Sequence, residues 1–511
     1  MDRRTAWAEV QLLDIANLSA GNTPSKKITG NYGGYIPFVK PPELQNRRIN
    51  CAPEMLSEQG SENARLLPEN AVLVSCIGNL GKTGISGCKI AFNQQINAIE
   101  AYPGIDPGFI FYQAQSQNFR NQLEQRATAT TISIVNKGNF STIKVWVPPT
   151  NEQHRIVAKI EELFSELDKG IESLKTAREQ LKVYRQALLK HAFEGKLTEQ
   201  WRKDNADKLE TADQLLERIK QEREARYQQQ LKAWKAAVKQ WEAAGQKGKR
   251  PKKPRTLKPI SHNIELIDQD SELEDLPKGW LKLQVNDCLL EPPSNGRSVK
   301  DRVGGFPVLR LTALKPLKID IAAHKNGDWE REQAKDYIIR EGDFLLSRGN
   351  GSKNLVGLGK LVPPLEFEVA YPDTMVRLRV ISGCLIDEYL AQVWNSRVVR
   401  RQIEKNARTT AGIYKINQKH IAEFKLPLCS IEEQKQIVDL LSENLPLLDQ
   451  MEKDIGKGLD TSEALRQSIL KKAFSGQLVP QDPNDEPASA LLERIAKEKE
   501  AAGAKVKKTR R

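Results

Sequence analysis

This chain contains most of itself twice, and that repeat limits its fold more than any other feature. Residues 186–197, QALLKHAFEGKL, return as 467–478, QSILKKAFSGQL, with seven of twelve positions identical at an offset of 281. Upstream, EQHRIVAKIEELFSELD (152–168) aligns with EQKQIVDLLSENLPLLD (433–449) at the same offset. Downstream, LLERIKQERE (215–224) recurs as LLERIAKEKE (491–500) after a shorter connection. Toward the N-terminus the offset drifts, as loops of unequal length would make it. GGYIPFVK (33–40) pairs with GGFPVLR (304–310), and LPENAVLVS (67–75) with IREGDFLLS (339–347). IKVWVPP (143–149) answers AEFKLPL (422–428), and WAEVQLLDIA (7–16) answers WLKLQVNDCL (280–289). A repeat dictates architecture before any single element does. Here it reads as globular region, long helix, globular region, long helix.

Each globular region mixes short β-like runs with Gly/Asn/Pro-rich turns. The runs are YIPFVK, AVLVSCI and TIKVWVPP in the first region, and FPVLRL, DFLLS and MVRLRVI in the second. Residues 106–125 and 387–405 read as amphipathic helices. In the long segments, Phe164, Leu167, Ile171, Leu174, Arg178, Leu181, Arg185 and Leu188 alternate at spacings of three and four. Leu445, Leu448, Glu452, Ile455, Leu459, Ser462, Arg466 and Ile469 hold the equivalent places. Such an a/d seam predicts a coiled coil of about 40 residues, roughly 60 Å long. Its polar breaks do not coincide: Arg178 answers Leu459, and Glu452 answers Ile171. Each helix therefore suits its complement better than itself, which predicts antiparallel pairing within one chain. Both helices close on Phe followed two residues later by Gly (Phe193/Gly195, Phe474/Gly476), an αL stop. Pro148, Pro149 and Pro427 are expected to end the preceding strands.

The expected fold class is α+β: two pseudo-symmetric globular α/β-mixed domains separated by two long antiparallel coiled-coil helices. Expected boundaries are 1–150 and 265–430 for the globular domains, and 151–199 and 431–479 for the spacer helices. A charged helical connector with a basic linker is expected at 200–264, and a C-terminal helix with a basic tail at 480–511.

Composition narrows the function. No run of 18 apolar residues exists, so no membrane span is expected, and the start MDRRTAWAEVQ lacks a signal peptide's apolar stretch. Six scattered cysteines without a C-x-x-C pair argue against zinc and disulfides and fit a reducing cytoplasm. The net charge is +13, and residues 201–260 alone hold 17 Lys/Arg against 8 Asp/Glu. A basic balance favours a polyanionic partner, nucleic acid first among them, and for this one segment a solvated charged helix with a basic linker is an equal alternative.

Catalytic motifs fail on inspection. GNLGKTG (78–84) lacks the first glycine of a P-loop, since Cys76 stands there, and GISGCKIAF does not continue as a helix. A nucleotide hydrolase is thereby opposed. The string reads either as a donor-rich loop reaching a ligand or as a plain hairpin turn. The five histidines (His154, His191, His262, His324, His420) show no metal-binding spacing, and no G-x-S-x-G elbow occurs. The chain is expected to be non-enzymatic by itself and to bind no cofactor.

What remains is recognition. Reading a groove takes Arg or Lys for guanine, Asn or Gln for adenine, and hydroxyls or N–H groups for phosphate. In the first region the candidates are Asn22, Thr23, Lys26, Lys27, Lys40, Asn79, Lys82, Thr83, Gln94 and Thr130. In the second they are Arg297, Lys300, Arg310, Arg348, Asn350, Lys353, Arg408 and Thr409. RATATT (126–131) and ARTTAG (407–412) sit at matching places while neighbouring loops diverge, which suggests two targets read by one frame. The rival expectation is a coiled-coil adaptor that joins proteins without reading DNA.

The doubled EQ..IV helix start (Glu152-Gln153, Glu433-Gln434), the doubled LLK.AF.G.L helix end and the paired LLERI resemble the DNA-specificity subunit of type I restriction–modification systems. The resemblance runs through nearly the whole chain in the family's order. It implies that each globular region is a target recognition domain reading half of a bipartite, asymmetric site on double-stranded DNA. It also implies that helix length sets the gap between half-sites. Two methyltransferase subunits carrying S-adenosylmethionine are implied partners, and restriction subunits would bring ATP and Mg2+ chemistry. One asymmetric chain that offers the same docking surface twice would account for the repeat. The long connector after the first helix, ending in KGKRPKKPRTLKP (247–259), departs from that symmetry.

Overall fold

The computed structural model describes residues 6–128, 132–246, 248, 250–254, 259–260, 276–315, 318–410 and 412–509. They form two compact units, one from Met1–Ala177 with Asp454–Arg511, the other from Arg178–Lys453.

In the first unit a five-stranded sheet runs in the order Ala16–Ala20, Ile96–Ala101, Val72–Ser75, Thr83–Ser86, Arg47–Ile49. The strands Val72–Ser75 and Thr83–Ser86 are buried at every position, so both faces are covered. A four-stranded sheet follows the order Met55–Leu56, Tyr32–Val39, Ile90–Phe92, Leu66–Leu67. A separate antiparallel ladder pairs Ala8–Gln11 with Lys144–Val147. The expected helix at 106–125 is two helices, Pro107–Ala114 and Gln117–Gln125. Ser116 breaks it because its hydroxyl accepts from the Phe119 N–H at 3.3 Å, capping a new start. The core gathers Phe109, Ile156, Ile160 and Phe164 with Ile469, Leu470 and Ala473 from the second long helix. Leu491 and Ile495 of the terminal helix Ala488–Thr509 complete it.

The second unit repeats this plan. Leu281–Gln284 pairs with Lys425–Leu428 as the same edge ladder. Pro427 lies within that strand, opposite Lys282, rather than ending it. An outer strand tolerates a residue without an N–H. A four-stranded sheet follows the order Ser294–Asn295, Met375–Leu378, Phe344–Ser347, Gly359–Leu361. Two further ribbons join Asp301–Leu309 to His324–Gly327, and Gly349–Asn350 to Ile413–Lys415 to Arg408–Thr410. The helix expected at 387–405 again breaks at a serine, Ser396, into Asp387–Trp394 and Arg397–Asn406. Here the connector helix Ala212–Ala243 supplies Leu215 and Ile219 to the core, with Leu216 buried beside them in the chain.

The long helices are Thr150–Phe193 and Ile431–Phe474; the second continues through Pro446. They pair antiparallel. In the first unit Arg466 lies 4.3 Å over the Phe164 ring and pairs with Asp168, while Gly458 lets Leu174 approach closely. In the second unit Arg185 pairs with Asp449, and Arg178 meets Glu452 at 3.9 Å. The two polar breaks in the seam thus face each other. Both helices end in the same Schellman turn: Lys196 N–H to His191 O and Gln477 N–H to Lys472 O, each 2.9 Å, with Gly195 and Gly476 at positive φ.

The repeated Glu-Gln pair is a buried staple. Gln434 donates to Cys429 O (2.9 Å) and Cys384 O (3.1 Å) and accepts from Ile386 N–H (3.0 Å). Gln153 donates to Pro148 O (2.9 Å) and accepts from Asp106 N–H (2.8 Å). Each glutamine thereby ties a helix start to the globular region before it. Glu433 accepts from Thr198 Oγ1 (2.7 Å), Arg202 Nε (2.9 Å) and Trp280 Nε1 (2.9 Å). Glu152 is as deeply buried, but Val479 and Pro483 stand at the places equivalent to Thr198 and Arg202. Burial pushes its carboxyl above the usual range.

Candidate nucleic-acid interface

The loops singled out in the sequence converge within each unit. In the first, Gly21 N–H reaches Ile96 O (3.2 Å) and Asn22 N–H reaches Phe92 O (3.1 Å). Asn46 N–H bonds Thr83 O (2.9 Å), Cys76 N–H bonds Gln95 O (2.7 Å), and Gly78 N–H bonds Ser133 O (2.9 Å). Five loops are thus stitched edge to edge by main-chain bonds. In the second unit Gly296 N–H reaches Met375 O (3.3 Å), Arg297 N–H reaches Tyr371 O (3.2 Å), and Arg348 N–H reaches Thr374 O (2.9 Å). Ile416 N–H closes onto Arg348 O at 3.0 Å. The first joint in each unit needs glycine for the same reason. A Cβ on Gly21 would sit 2.2 Å from Asn93 O, and one on Gly296 2.0 Å from Tyr371 O.

On this common frame the loop conformations differ. GNLGKTG is a β-hairpin turn, with Ser75 N–H to Lys82 O at 2.8 Å and Gly81 N–H to Ser75 O at 3.0 Å. Strand Thr83–Ser86 follows it, so no helix N-terminus is there to hold a phosphate. The described ends of the RATATT and ARTTAG segments pair in a similar way. Ile77 bridges Ile134, which bridges Thr128; the counterpart is the full ribbon Gly349–Asn350, Ile413–Lys415, Arg408–Thr410.

Seventeen of the eighteen candidates separate into three groups. Some are engaged by the fold's own groups. Thr83 is corrected: it is fully buried, donating to Asn46 Oδ1 at 2.8 Å, and cannot reach a ligand from there. Lys26 (2.6 Å) and Lys40 both converge on Glu54, whose carboxyl the Lys26 and Lys40 bonds hold below the usual range. Asn22 spans Asn63 O (2.7 Å) and Arg65 N–H (2.6 Å), so both ends of its amide are used.

A second group is exposed but oriented by neighbours. Thr23 donates to Gln94, bringing two predicted residues together. Arg297 lies 5.8 Å over the Trp329 ring, Arg310 pairs with Asp301 at 3.5 Å, and Asn350 Oδ1 accepts from Ser352 N–H at 3.0 Å.

The third group is Lys27, Asn79, Lys82, Lys300, Arg348, Lys353, Arg408 and Thr409. Their side chains make no hydrogen bond or ion pair to any described residue, leaving their donors for a ligand. Thr130 lies outside the described residues.

Sequence reasoning missed the apolar loop residues. Val303 is fully exposed and Tyr35 is 58% exposed, each beside a Gly-Gly pair where its strand bulges (Gly33-Gly34, Gly304-Gly305). Ile132, two residues before the bridged Ile134, and Ile413, on the second unit's ribbon, are both exposed. Alternation alone reads such residues as core, and the adjacent glycines were the available signal for a bulge.

The chemistry on offer is hydrogen-bond donation and positive charge. Among the described residues no group of three or more His, Cys, Asp or Glu could hold a metal ion. Burial raises the Cys76 thiol to about 12 and Cys384 to about 11, far from a reactive thiolate. Among the described residues no helix is long and apolar enough to cross a membrane.

Comparison with known proteins agrees with this geometry. The chain is 24% identical over 517 residues to the type I restriction enzyme EcoKI specificity subunit of Escherichia coli (strain K12), covering 98% of this chain and 97% of that one. It is 23% identical to the StySPI specificity subunit of Salmonella potsdam, covering 98% and 96%. Its fold is similar to that of a chain solved in work on complex assembly and conformational transition of the type I R-M system. The TM-score there is 0.61 at 16% identity, with 92% of this chain and 98% of that chain covered. The model for the type I restriction modification DNA specificity domain matches residues 5–177 and 294–459, and the chain belongs to that family.

Proposed function

We propose that this chain is the sequence-reading subunit of a type I restriction–modification enzyme, each unit recognising one half of a two-part, asymmetric DNA site. The observation that carries this reading is the pairing of one frame with two different loop sets. The same glycine joint and edge ladder recur in both units, while the displayed donors differ: Lys27, Asn79 and Lys82 in one, Lys300, Arg348, Lys353 and Arg408 in the other. Arg and Lys can address guanine edges, Asn can address adenine, and the exposed Ile132, Val303 and Ile413 can meet thymine methyls.

The chain supplies no catalytic group of its own. Methylation and cleavage belong to partner subunits, which bring S-adenosylmethionine, ATP and Mg2+. Two copies of a methylating subunit dock on the repeated helices. Tyr184 and Leu465, equivalent under the 281-residue offset, are both exposed apolar side chains, as a surface offered twice requires.

The test is to co-express the chain with a methylating subunit from the same host and map methylated positions across that host's DNA. A two-part motif with a fixed gap is expected. Arg348→Ala or Arg408→Ala should relax one half-site by about 1–3 kcal/mol of discrimination for each base no longer read, and leave the other half-site intact. A single continuous motif, or methylation that persists without this chain, would overturn the reading.

A further inference from the structure

The long connector that breaks the repeat is left unexplained by half-site reading. Its helix Ala212–Ala243 enters the core of the second unit only through its first turns, where Leu215, Leu216 and Ile219 are buried and Arg223 meets Asp287 at 3.3 Å. Beyond that point the helix continues as an arm. Along it, Tyr227, Leu231, Trp234, Val238 and Trp241 recur at alternating spacings of four and three, one apolar stripe. The two tryptophans of the stripe already have partners. The chain reverses at Gly245, Gln246 and Gly248, all at positive φ, and comes back beside the helix. Trp241 Nε1 donates to Gly248 O (3.2 Å), Trp234 Nε1 donates to Pro251 O (3.0 Å), and Lys253 Nζ lies 5.9 Å over the Trp234 ring.

One flank of the helix, about a third of a turn round from the stripe, is exposed. Lys232, Lys235 and Lys239, at spacings of three and four, fall on that side, and all three are exposed with no ion pair to any described residue. The returning segment adds exposed Arg250, Lys252 and Lys253. From Ala225 to Pro254 the sequence holds nine Lys/Arg and a single acid, Glu242.

We propose that this hairpin arm grips the phosphate backbone of duplex DNA without regard to sequence. The proposal rests on the DNA-reading function above and extends it. A protein partner would seek the apolar stripe, whose two tryptophans the chain's own returning segment already engages. The free face presents lysine ammoniums, flexible point charges suited to phosphates rather than to base edges. Lys232 to Lys239 spans about 10 Å along the helix axis, the length of about three phosphates on one DNA strand.

The experiment uses the full chain carrying Lys232→Gln, Lys235→Gln, Lys239→Gln, Arg250→Gln, Lys252→Gln and Lys253→Gln together. A second variant replaces the five lysines by arginine. Binding to labelled 40-base-pair duplexes, one with the mapped motif and one scrambled, is measured across a potassium chloride series. The glutamine variant should lose affinity for both duplexes by a similar factor. Its slope of log affinity against log salt should be shallower by about 2 to 4, at roughly 0.9 for each phosphate no longer neutralised. The arginine variant should keep the parental slope, and the methylated motif should stay the same in all three proteins. An unchanged slope in the glutamine variant overturns the proposal, as does a slope kept while that variant fails to co-purify with the methylating subunit. A parent that cannot tell the two duplexes apart would sink the reading function instead, and the slope comparison would still decide the arm.

Discussion

At the scale of single residues, what was legible was chemical type at a turn. Lys, Arg, Asn and Thr in loops bounded by Gly and Pro were found on two stitched loop clusters. What was not legible was which of them the fold keeps for itself. Thr83 reads as a loop hydroxyl, yet it is the first residue of a buried strand and bonds Asn46, 37 residues earlier. Lys26 and Lys40 are spent on Glu54, a partner that no local pattern reveals. Asp387 shows the same limit and yields a test. It opens the helix Asp387–Trp394, and burial, with Glu388 and Asp343 nearby, raises its carboxyl to about 6. A carboxyl raised on folding favours the native state fully at acid pH and loses that contribution as pH rises, here between about pH 4 and pH 6. Asp387→Asn should therefore stabilise the second unit at pH 7.5 by about 1–2 kcal/mol, discounted for partial exposure. The gain should vanish near pH 4. Urea titrations at the two pH values check this, and an equal gain at both would refute the assignment.

At the scale of elements, periodicity served well where packing is one-dimensional. The heptad seams gave the long helices, and their mismatched polar breaks gave the antiparallel sense, because Arg178 and Glu452 can meet only if the helices run oppositely. Periodicity failed at Ser116, whose hydroxyl caps a new helix, and at Ser396, whose hydroxyl donates back to Val393 O at 2.6 Å, both within an unbroken amphipathic pattern. The Arg178–Glu452 pair is too exposed to add much stability; its weight lies in fixing register. Arg178→Glu or Glu452→Arg alone should each cost about 0.5–1 kcal/mol by placing like charges together. The double exchange should recover most of that loss. A double-mutant cycle on thermal unfolding measures the coupling, and strictly additive losses would mean that the two side chains do not face each other.

At the scale of the whole molecule the duplication was plain in the text, but the way its parts are shared out was not. Alignment makes LLERI at 215–219 and 491–495 equivalent. It does not say that each enters the core of a unit built largely from other stretches of chain: Leu215 and Ile219 among residues of 280–448, Leu491 and Ile495 among residues of 7–164. Only the folded packing shows that the first unit takes its last layer from the far end of the chain, where Ala488 N–H also reaches Ala6 O at 3.2 Å. Ending the chain after Gly476 should therefore destabilise the first unit by about 3–5 kcal/mol, the cost of uncovering two large core side chains, and leave the second nearly untouched. Hydrogen exchange resolved by peptide reads this directly, with weakened protection expected around Phe109 and Ile156 but not around Tyr389 and Ile437. The same split has a consequence during synthesis. The second unit is one unbroken stretch and can close on the ribosome once its final residues emerge. The first must wait through roughly 300 further residues, about 15–60 s at ordinary rates of translation, with part of its core still open to water. The half of the protein that is made first is the half that finishes folding last, and slowed translation lengthens the interval in which a nascent-chain chaperone must shield it.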